Sequence, residues 1–379
     1  MNNFSYLKII ALIAVFVLLL LVFFLLTVKT KNKLSNRLIA SYLILTAIDI
    51  SGFFIAENIT NNHPNLEIFR WTLCLLNIPL FYLYVLSLCY TDFRLKFKHA
   101  LHTAPFIILN LILIPRIYLA NDTYKKYFFE HHFETTEMVF FQFLIEVQYL
   151  LYIIGIFLIL KKYRKIYLEN FANSNTATYK WLFQITIVFI VAHYFDTFKN
   201  LLRYTDYHTL LIFINDFIGI IALLITCWFV LKALNYPELF RGIDSKLQLA
   251  KDFTSKTAAS KNQDITVIAS QIDILKKHMI DKKPYLDQSF TIQDLANQIN
   301  IPVRELSILI NLHMHQHFFD FVNQYRIENA MEILRNYSKS ELTVLEILYK
   351  VGFNSKSSFH TAFKKHTSLT PTEYRNSLL

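Results

Sequence analysis

The residues best equipped for chemistry lie between Lys356 and Lys365. On a helix, Lys356, Ser357, His360, Thr361, Lys364 and Lys365 share one side and Phe359, Ala362 and Phe363 the other, and no acidic residue occurs between Leu348 and Pro371. Ammonium groups, hydroxyls and an imidazole can all donate to phosphate oxygens or to base edges in a major groove. A merely solvated basic face is the plain alternative, and the donor-rich, acid-free composition weighs against it. A second, less basic set precedes it: Arg304, Ser307 and Asn311 remain available where Leu306, Leu309 and Ile310 point inward.

Other candidate groups sit in apolar surroundings. Asp49, Glu146, Asp196 and Asp216 interrupt long hydrophobic stretches, as do Asn77, His193 and Asn215. A charge within a membrane span costs roughly 2.5–3.5 kcal/mol on an insertion scale, so each calls for a reason. A polar cavity open to the outside would gather such groups as ligand-binding residues. Hydrogen bonding between helices, with Asp196 paired to His193 or Lys199, would equally account for them. The run His313, His315, His317 invites a metal reading, but on a helix only 313 and 317 share a face and no carboxylate or cysteine completes a set, so no metal is expected.

Several reaction classes are excluded by what is missing. The five glycines, Gly52, Gly155, Gly219, Gly242 and Gly352, are never closer than 23 residues, so no phosphate-cradling glycine loop can form. Cys74, Cys89 and Cys227 lie far apart in apolar runs, which indicates neither a disulfide framework nor a cysteine zinc site. No H-E-x-x-H and no nucleophile constellation occurs. We therefore expect no catalytic residues, no cofactor and no enzyme activity.

The elements that must position these groups are helices of two kinds. Of 379 residues 54% are hydrophobic and only 17% charged, against roughly 25% charged in an ordinary soluble domain. Seven apolar stretches, near 9–27, 38–56, 71–90, 100–118, 139–160, 181–198 and 209–231, approach the ~20 residues that span a bilayer. Loops after the first, third and fifth carry 12 basic residues, among them Lys29, Arg94 and Lys161, and the opposite side carries 7. The positive-inside rule then puts the N-terminus outside and the C-terminus in the cytoplasm, at the inner (cytoplasmic) membrane. The basic excess follows the membrane part: residues 1–233 hold 20 Lys and Arg against 13 Asp and Glu, residues 272–379 only 13 against 11. The expected fold class is all-α: a seven-span bundle over residues 1–233, a cytoplasmic linker with the start of a helical connector over 234–271, and a soluble helical domain over 272–379.

Ile265, Ile268, Ile272, Leu275 and Met279 draw an a/d seam at the linker's end. It would serve a dimerising coiled coil or the packing of this helix on the following domain's own core, and about two heptads favour the second. Beyond it, Thr291 with Asp294, Thr343 with Glu346, and Thr370 with Pro371 and Glu373 are capping boxes that fix three helix starts. The first two open similar helix–turn–helix units, 291–313 and 343–366, joined by an amphipathic helix over Phe318–Leu334. At 1.5 Å per residue that helix is roughly 25 Å long, which suits two recognition helices entering successive major grooves about 34 Å apart.

These residues resemble the AraC/XylS-type DNA-binding domain. The resemblance covers about residues 272–379 and is carried by YKVGFNSKSSFHTAFKKHTSLTPTEYR (349–375), with HFFDFVNQYR (317–326) in support. The whole chain looks like the membrane-anchored members. The resemblance implies that Arg304, Ser307 and Ile308 of the first recognition helix, and Lys356, Ser357, Ser358, His360 and Thr361 of the second, face DNA. Where the family often has glycine after each recognition helix, this chain has His315 and Ser368, and a left-handed turn is tolerable for the histidine but less comfortable for the serine.

The reading that follows is a membrane-bound one-component transcription regulator with sequence-specific DNA binding, its membrane part a sensor or an anchor. Partners on this reading are promoter DNA, the lipid bilayer, a second copy of the chain, an external small molecule or peptide, and RNA polymerase; the resemblance implies activation as the commoner mode. The alternative is a transporter or membrane enzyme with a regulatory DNA-binding tail. Against transport, no two halves with paired broken helices occur.

Overall fold

The computed structural model describes residues 6–28, 33–90, 92–172, 177–202, 265–337 and 341–378, with scattered residues from 213 to 228. No strand occurs among them. The chain divides into two compact units, Met1–Leu160 with Thr178–Ser245, and Lys161–Ala177 with Lys246–Leu379.

In the first unit α1 (Tyr6–Thr27) packs along α2 (Lys33–Asn62). Ala11, Ala14, Leu18, Leu21 and Leu25 form its buried seam at helical spacing, and the two alanines permit a close approach to α2. Phe16, Leu20 and Phe23 are exposed on the opposite side. Pro64, at the first position of α3 (Pro64–Thr72), ends α2 and starts the next helix. A 3-10 turn over Leu73–Leu76 leads into α4 (Asn77–Cys89). There follow α5 (Ala104–Leu113), α6 (Asp122–His131), α7 (Thr136–Asn170) and α8 (Ala177–Leu202). Six of the described helices are long and apolar enough to cross a bilayer: Tyr6–Thr27, Lys33–Asn62, Pro64–Cys89, Phe97–Tyr118, Thr136–Asn170 and Tyr179–Leu202. The seventh expected stretch, 209–231, lies largely outside the described residues, and so do Asn215 and Asp216.

The second unit opens with α9 (Ile265–Lys282). Its Leu275 and Met279 are fully buried in the core of the first helix–turn–helix, and Ile268 and Ile272 pack beside them. The seam is thus spent on the domain's own core and not on a coiled coil. That core is built by α10 (Ile292–Ile299), α11 (Val303–Ile308) with the π turn that continues it (Leu309–His313), and the first half of α12 (Phe318–Asn336), through Leu295, Leu306, Ile310, Phe318 and Phe321. The second half of α12 gives Ile327, Ala330 and Leu334 to a separate core with Ile347 and Leu348 of α13 (Val344–Lys350) and Phe359 and Phe363 of α14 (Lys356–Thr367). One 19-residue helix therefore shares its apolar stripe between both units. The last helix is α15 (Pro371–Asn376).

The three capping boxes form as the sequence predicts. Thr291, Thr343 and Thr370 accept from the backbone N–H of Asp294, Glu346 and Glu373, whose carboxylates accept the threonine N–H in return. Hydrogen bonding to that backbone holds the Glu346 and Glu373 carboxyls below the usual range.

Candidate nucleic-acid interface

The second helix–turn–helix presents its donors cleanly. Ser355 caps α14 by accepting from Ser358 N–H at 3.2 Å. Phe359 and Phe363 are buried in the core, and Lys356, Ser357, Thr361, Lys364 and Lys365 are exposed on the other side. Lys365 donates to Asp320 at 2.6 Å, an exposed ion pair of little net worth that can be exchanged for a phosphate. Ser358 is half-buried and accepts from the Ser355 hydroxyl at 2.8 Å, so it supports the cap first. His360 departs from expectation: it flanks the Phe359–Phe363 stripe, is half-buried, and its Nε2 is covered with no partner among the described residues.

In the first unit the structure narrows the available set. Arg304 is exposed and Ile308 half-exposed, but Ser307 is only 4% exposed, because its position beside Leu306 and one turn before Ile310 turns it to the core edge. Asn311, expected to be available, donates to the Ser307 carbonyl at 2.9 Å and meets His317 Nδ1 at 3.1 Å. These polar groups fasten the end of the recognition helix, which closes in a wider π turn over Leu309–His313. His317 of the three-histidine run is spent there, while His313 and His315 are exposed. Both doubtful turns are left-handed in fact, His315 at φ 52° and Ser368 at φ 65°.

A helix-turn-helix domain family matches residues 295–377. The HTH-type transcriptional regulator AlkR of Acinetobacter baylyi is 28% identical over 91 residues, which is 24% of this chain and 29% of AlkR. The melibiose operon regulatory protein of Escherichia coli is 27% identical over 89 residues, 24% of this chain and 28% of that protein. Among solved structures, the C-terminal domain of AraT, a response regulator from Geobacillus stearothermophilus, is 28% identical and covers 27% of this chain and 84% of that one, with a TM-score of 0.25. The C-terminal segment is a helix-turn-helix domain of the AraC/XylS family. The match spans less than a third of the length of the two regulators.

Within the AraC-type domain, the two helix–turn–helix units are joined at a residue the sequence reading passed over. Arg326 of α12 is 0% exposed and donates from Nε to the Tyr285 carbonyl at 2.7 Å and from Nη2 to the Asp287 carbonyl at 2.7 Å. Its guanidinium lies 5.5 Å from the centroid of the Phe353 ring in the second unit. Burial lowers its pKa to about 10, so it stays charged at neutral pH. Gly352 completes the joint: at φ 90°, a Cβ there would stand 2.5 Å from the Tyr285 carbonyl oxygen. The signals in sequence were faint, a lone arginine in an amphipathic helix and the domain's single glycine.

The polar groups in the apolar stretches include two networks among the described residues. Glu146 of α7 accepts from Gln142 at 2.7 Å and from Thr197 of α8 at 2.9 Å, and its other oxygen meets His193 Nε2 at 3.1 Å. Asp49 lies 3.7 Å from Arg70, which also pairs with the buried Glu67 at 2.6 Å, and Trp71 donates to Glu67 at 2.8 Å. Asp196 pairs with Lys199, not with His193. Asn77 Oδ1 is covered and has no partner among the described residues. The sequence had missed Glu67 because it falls before the apolar stretch it serves.

Proposed function

We propose that the chain is a membrane-bound one-component transcription regulator, whose AraC-type domain binds promoter DNA sequence-specifically from the cytoplasmic face. The observation that carries this reading is the exposed donor face of α14, held outward by Phe359 and Phe363. Lys356, Lys364 and Lys365 meet phosphates, Ser357 and Thr361 meet base edges, and Arg304 with Ile308 reads a second groove, Ile308 by contact with a thymine methyl. Six apolar helices support the multi-pass membrane placement. The bias of basic residues to the loops after the first, third and fifth stretches, with a seventh span at 209–231, is what supports an N-terminus outside. The loop after the fifth span belongs to the same compact unit as the tail, which supports a common side for both.

On the outer side, the Glu146–His193–Thr197 network, with Asp49, Asp196 and Asn77 and the undescribed Asn215 and Asp216, would line the site for an external small molecule or peptide. A ligand there shifts the equilibrium only through unequal affinity for two arrangements. The test is genome-wide mapping of DNA bound by the full-length protein, repeated with Ser357→Ala and Lys364→Ala together. Discrete sites lost in the double variant are expected; an unchanged map would refute the assignment. Reporters fused after Lys33, Lys96, Lys165 and Leu234 should read cytoplasmic, and those after Asn62 and Lys125 external. For sensing, Glu146→Gln should abolish the switching of a reporter with DNA binding retained; unaltered switching makes Glu146 structural. Solute flux through the membrane unit would favour the transporter alternative.

A further inference from the structure

The helix α7 is longer than a bilayer requires. Its 35 residues make about 52 Å at 1.5 Å per residue, against a hydrocarbon core of about 30 Å. At Lys161 the sequence turns cationic, with Lys162, Arg164 and Lys165 following. Yet one face of this polar extension is covered: Tyr163 is 1% exposed, Ile166 0% and Glu169 2%. Beyond the helix, Ala172 is 0% exposed and belongs to the core of the first helix–turn–helix, with Phe290, Phe318 and Phe321.

The contact is made by backbone. Ala172 N–H donates to the Phe290 carbonyl at 3.1 Å, and Phe171 pairs with Thr291 in an isolated antiparallel bridge. The Ala172 carbonyl accepts from Arg326 Nη1 at 3.2 Å, beside the Tyr285 and Asp287 carbonyls already on that guanidinium. A residue from between the fifth and sixth expected spans thus adds a backbone acceptor to the buried arginine that joins the two DNA-binding units, on the Nη1 that also donates to Asn323 Oδ1 at 3.4 Å.

We infer that Lys161–Ala172 is a strap of the DNA-binding domain: docked through Phe171 and Ala172 it holds the domain in its DNA-competent form, and withdrawal of Ala172 by movement of α7 lowers DNA affinity. Withdrawal strips the carbonyl of the buried Phe290 of its Ala172 donor, which is costly, and leaves Arg326 Nη1 with the longer bond to Asn323 Oδ1 in place of the Ala172 carbonyl. α7 also carries Glu146, so a change at its outer end acts on the element that ends in the strap. This rests on the regulator reading for its consequence, but not for its geometry.

The test uses the full chain in lipid nanodiscs. Antiparallel bridge partners have Cα atoms about 4.5–5.5 Å apart, within disulfide range. Phe171→Cys with Thr291→Cys should therefore cross-link on mild oxidation, read by mass spectrometry of the joined peptides, whereas Phe171→Cys with Ser357→Cys should not. The locked protein should keep the affinity of its reduced form for a duplex selected by the wild type. Ala172→Pro removes the N–H offered to Phe290 and lies beyond the helix end, so it should slow cross-linking and weaken DNA binding by roughly two- to tenfold each. No cross-link in the first pair, loss of affinity on locking, or unchanged affinity in Ala172→Pro would each overturn the strap. Cross-linking in a protein that binds no duplex in any form would refute the regulator reading and the strap's regulatory role, leaving the docking alone.

Discussion

Replacing Arg326 by methionine tests the joint between the two helix–turn–helix units. Methionine keeps an unbranched stem and removes every donor. The carbonyls of Tyr285, Asp287 and Ala172 then lose bonds of 2.7, 2.7 and 3.2 Å in a site where the guanidinium is 0% exposed. The Tyr285 and Ala172 carbonyls become unmet buried acceptors at about 1–3 kcal/mol each, while the carbonyl of the exposed Asp287 can turn to water. With the contact to the Phe353 ring lost and the guanidinium desolvation saved, a net loss of about 3–5 kcal/mol is expected. Domains of this kind are stable by about 5–15 kcal/mol in all, so the variant should be marginal. With about 2 kcal/mol per M for urea, the midpoint should fall by about 2 M. Pulse proteolysis of the full-length protein in nanodiscs across a urea gradient, following the C-terminal unit, measures this directly. Arg326→Lys, with one ammonium in place of a fork, should fall between the two. A midpoint shift of less than about 0.5 M for Arg326→Met would show that the guanidinium does not organise the joint.

Gly352→Ala sets a Cβ 2.5 Å from the Tyr285 carbonyl oxygen at φ 90° and should cost at least about 2 kcal/mol in the same assay, whereas an unchanged midpoint would mean the turn at Gly352 is free to relax. In titrations of selected duplexes, Lys364→Ala should weaken all sequences alike and reduce the salt slope by about 1, whereas Ser357→Ala should change preference at one or two base pairs by about 1–3 kcal/mol. Ser307→Ala, buried as it is, should leave base preference unchanged; a shift in preference would put Ser307 at the DNA. Because the Glu346 and Glu373 carboxyls are held below their ordinary value, their stabilising contribution is present above about pH 4.3 and is lost as pH falls through the lowered values. Glu346→Gln with Glu373→Gln should therefore flatten the acid limb of a stability–pH profile, and an unaltered limb would count against the boxes.

What the sequence disclosed were the features written in local periodicity and local chemistry. The capping threonines and the inward stripe Phe359–Phe363 depend on residues within a few turns and are found where the pattern put them, and six of the seven expected apolar stretches fall on described helices, some of them longer than the stretch. The face of the first recognition helix was read less well, since Ser307 and Asn311 sit at the boundary of the stripe, where 100° per residue does not decide between solvent and core. The seam of α9 shows the same ambiguity between two partners: Leu275 and Met279 would look alike in a coiled coil and in the core they occupy. Pairings such as Glu146 with His193, or Asp196 with Lys199 rather than His193, needed the helix rotations, which apolar runs without a strong polar face do not reveal.

The strap was illegible for a stronger reason. Ala172 and Arg326 are 154 residues apart, and an alanine after an amphipathic helix end carries no mark of burial in its sequence neighbourhood. The consequence bears on any fragment cut at the start of α9. Residues 262–379 contain both recognition helices but not Ala172, so Arg326 Nη1 lacks one acceptor, the Phe290 carbonyl lacks its donor, and the core keeps a methyl-sized gap. Such a fragment should be less stable than the same unit in the whole chain, by about 1–3 kcal/mol for the unmet groups. A peptide of residues 161–177 supplied in trans should restore part of this by mass action, raising the fragment's urea midpoint in proportion to the logarithm of peptide concentration above its dissociation constant. The same peptide with proline at position 172 should not. Equal effects of the two peptides would trace the stabilisation to charge or crowding rather than to the backbone pairing at Phe290.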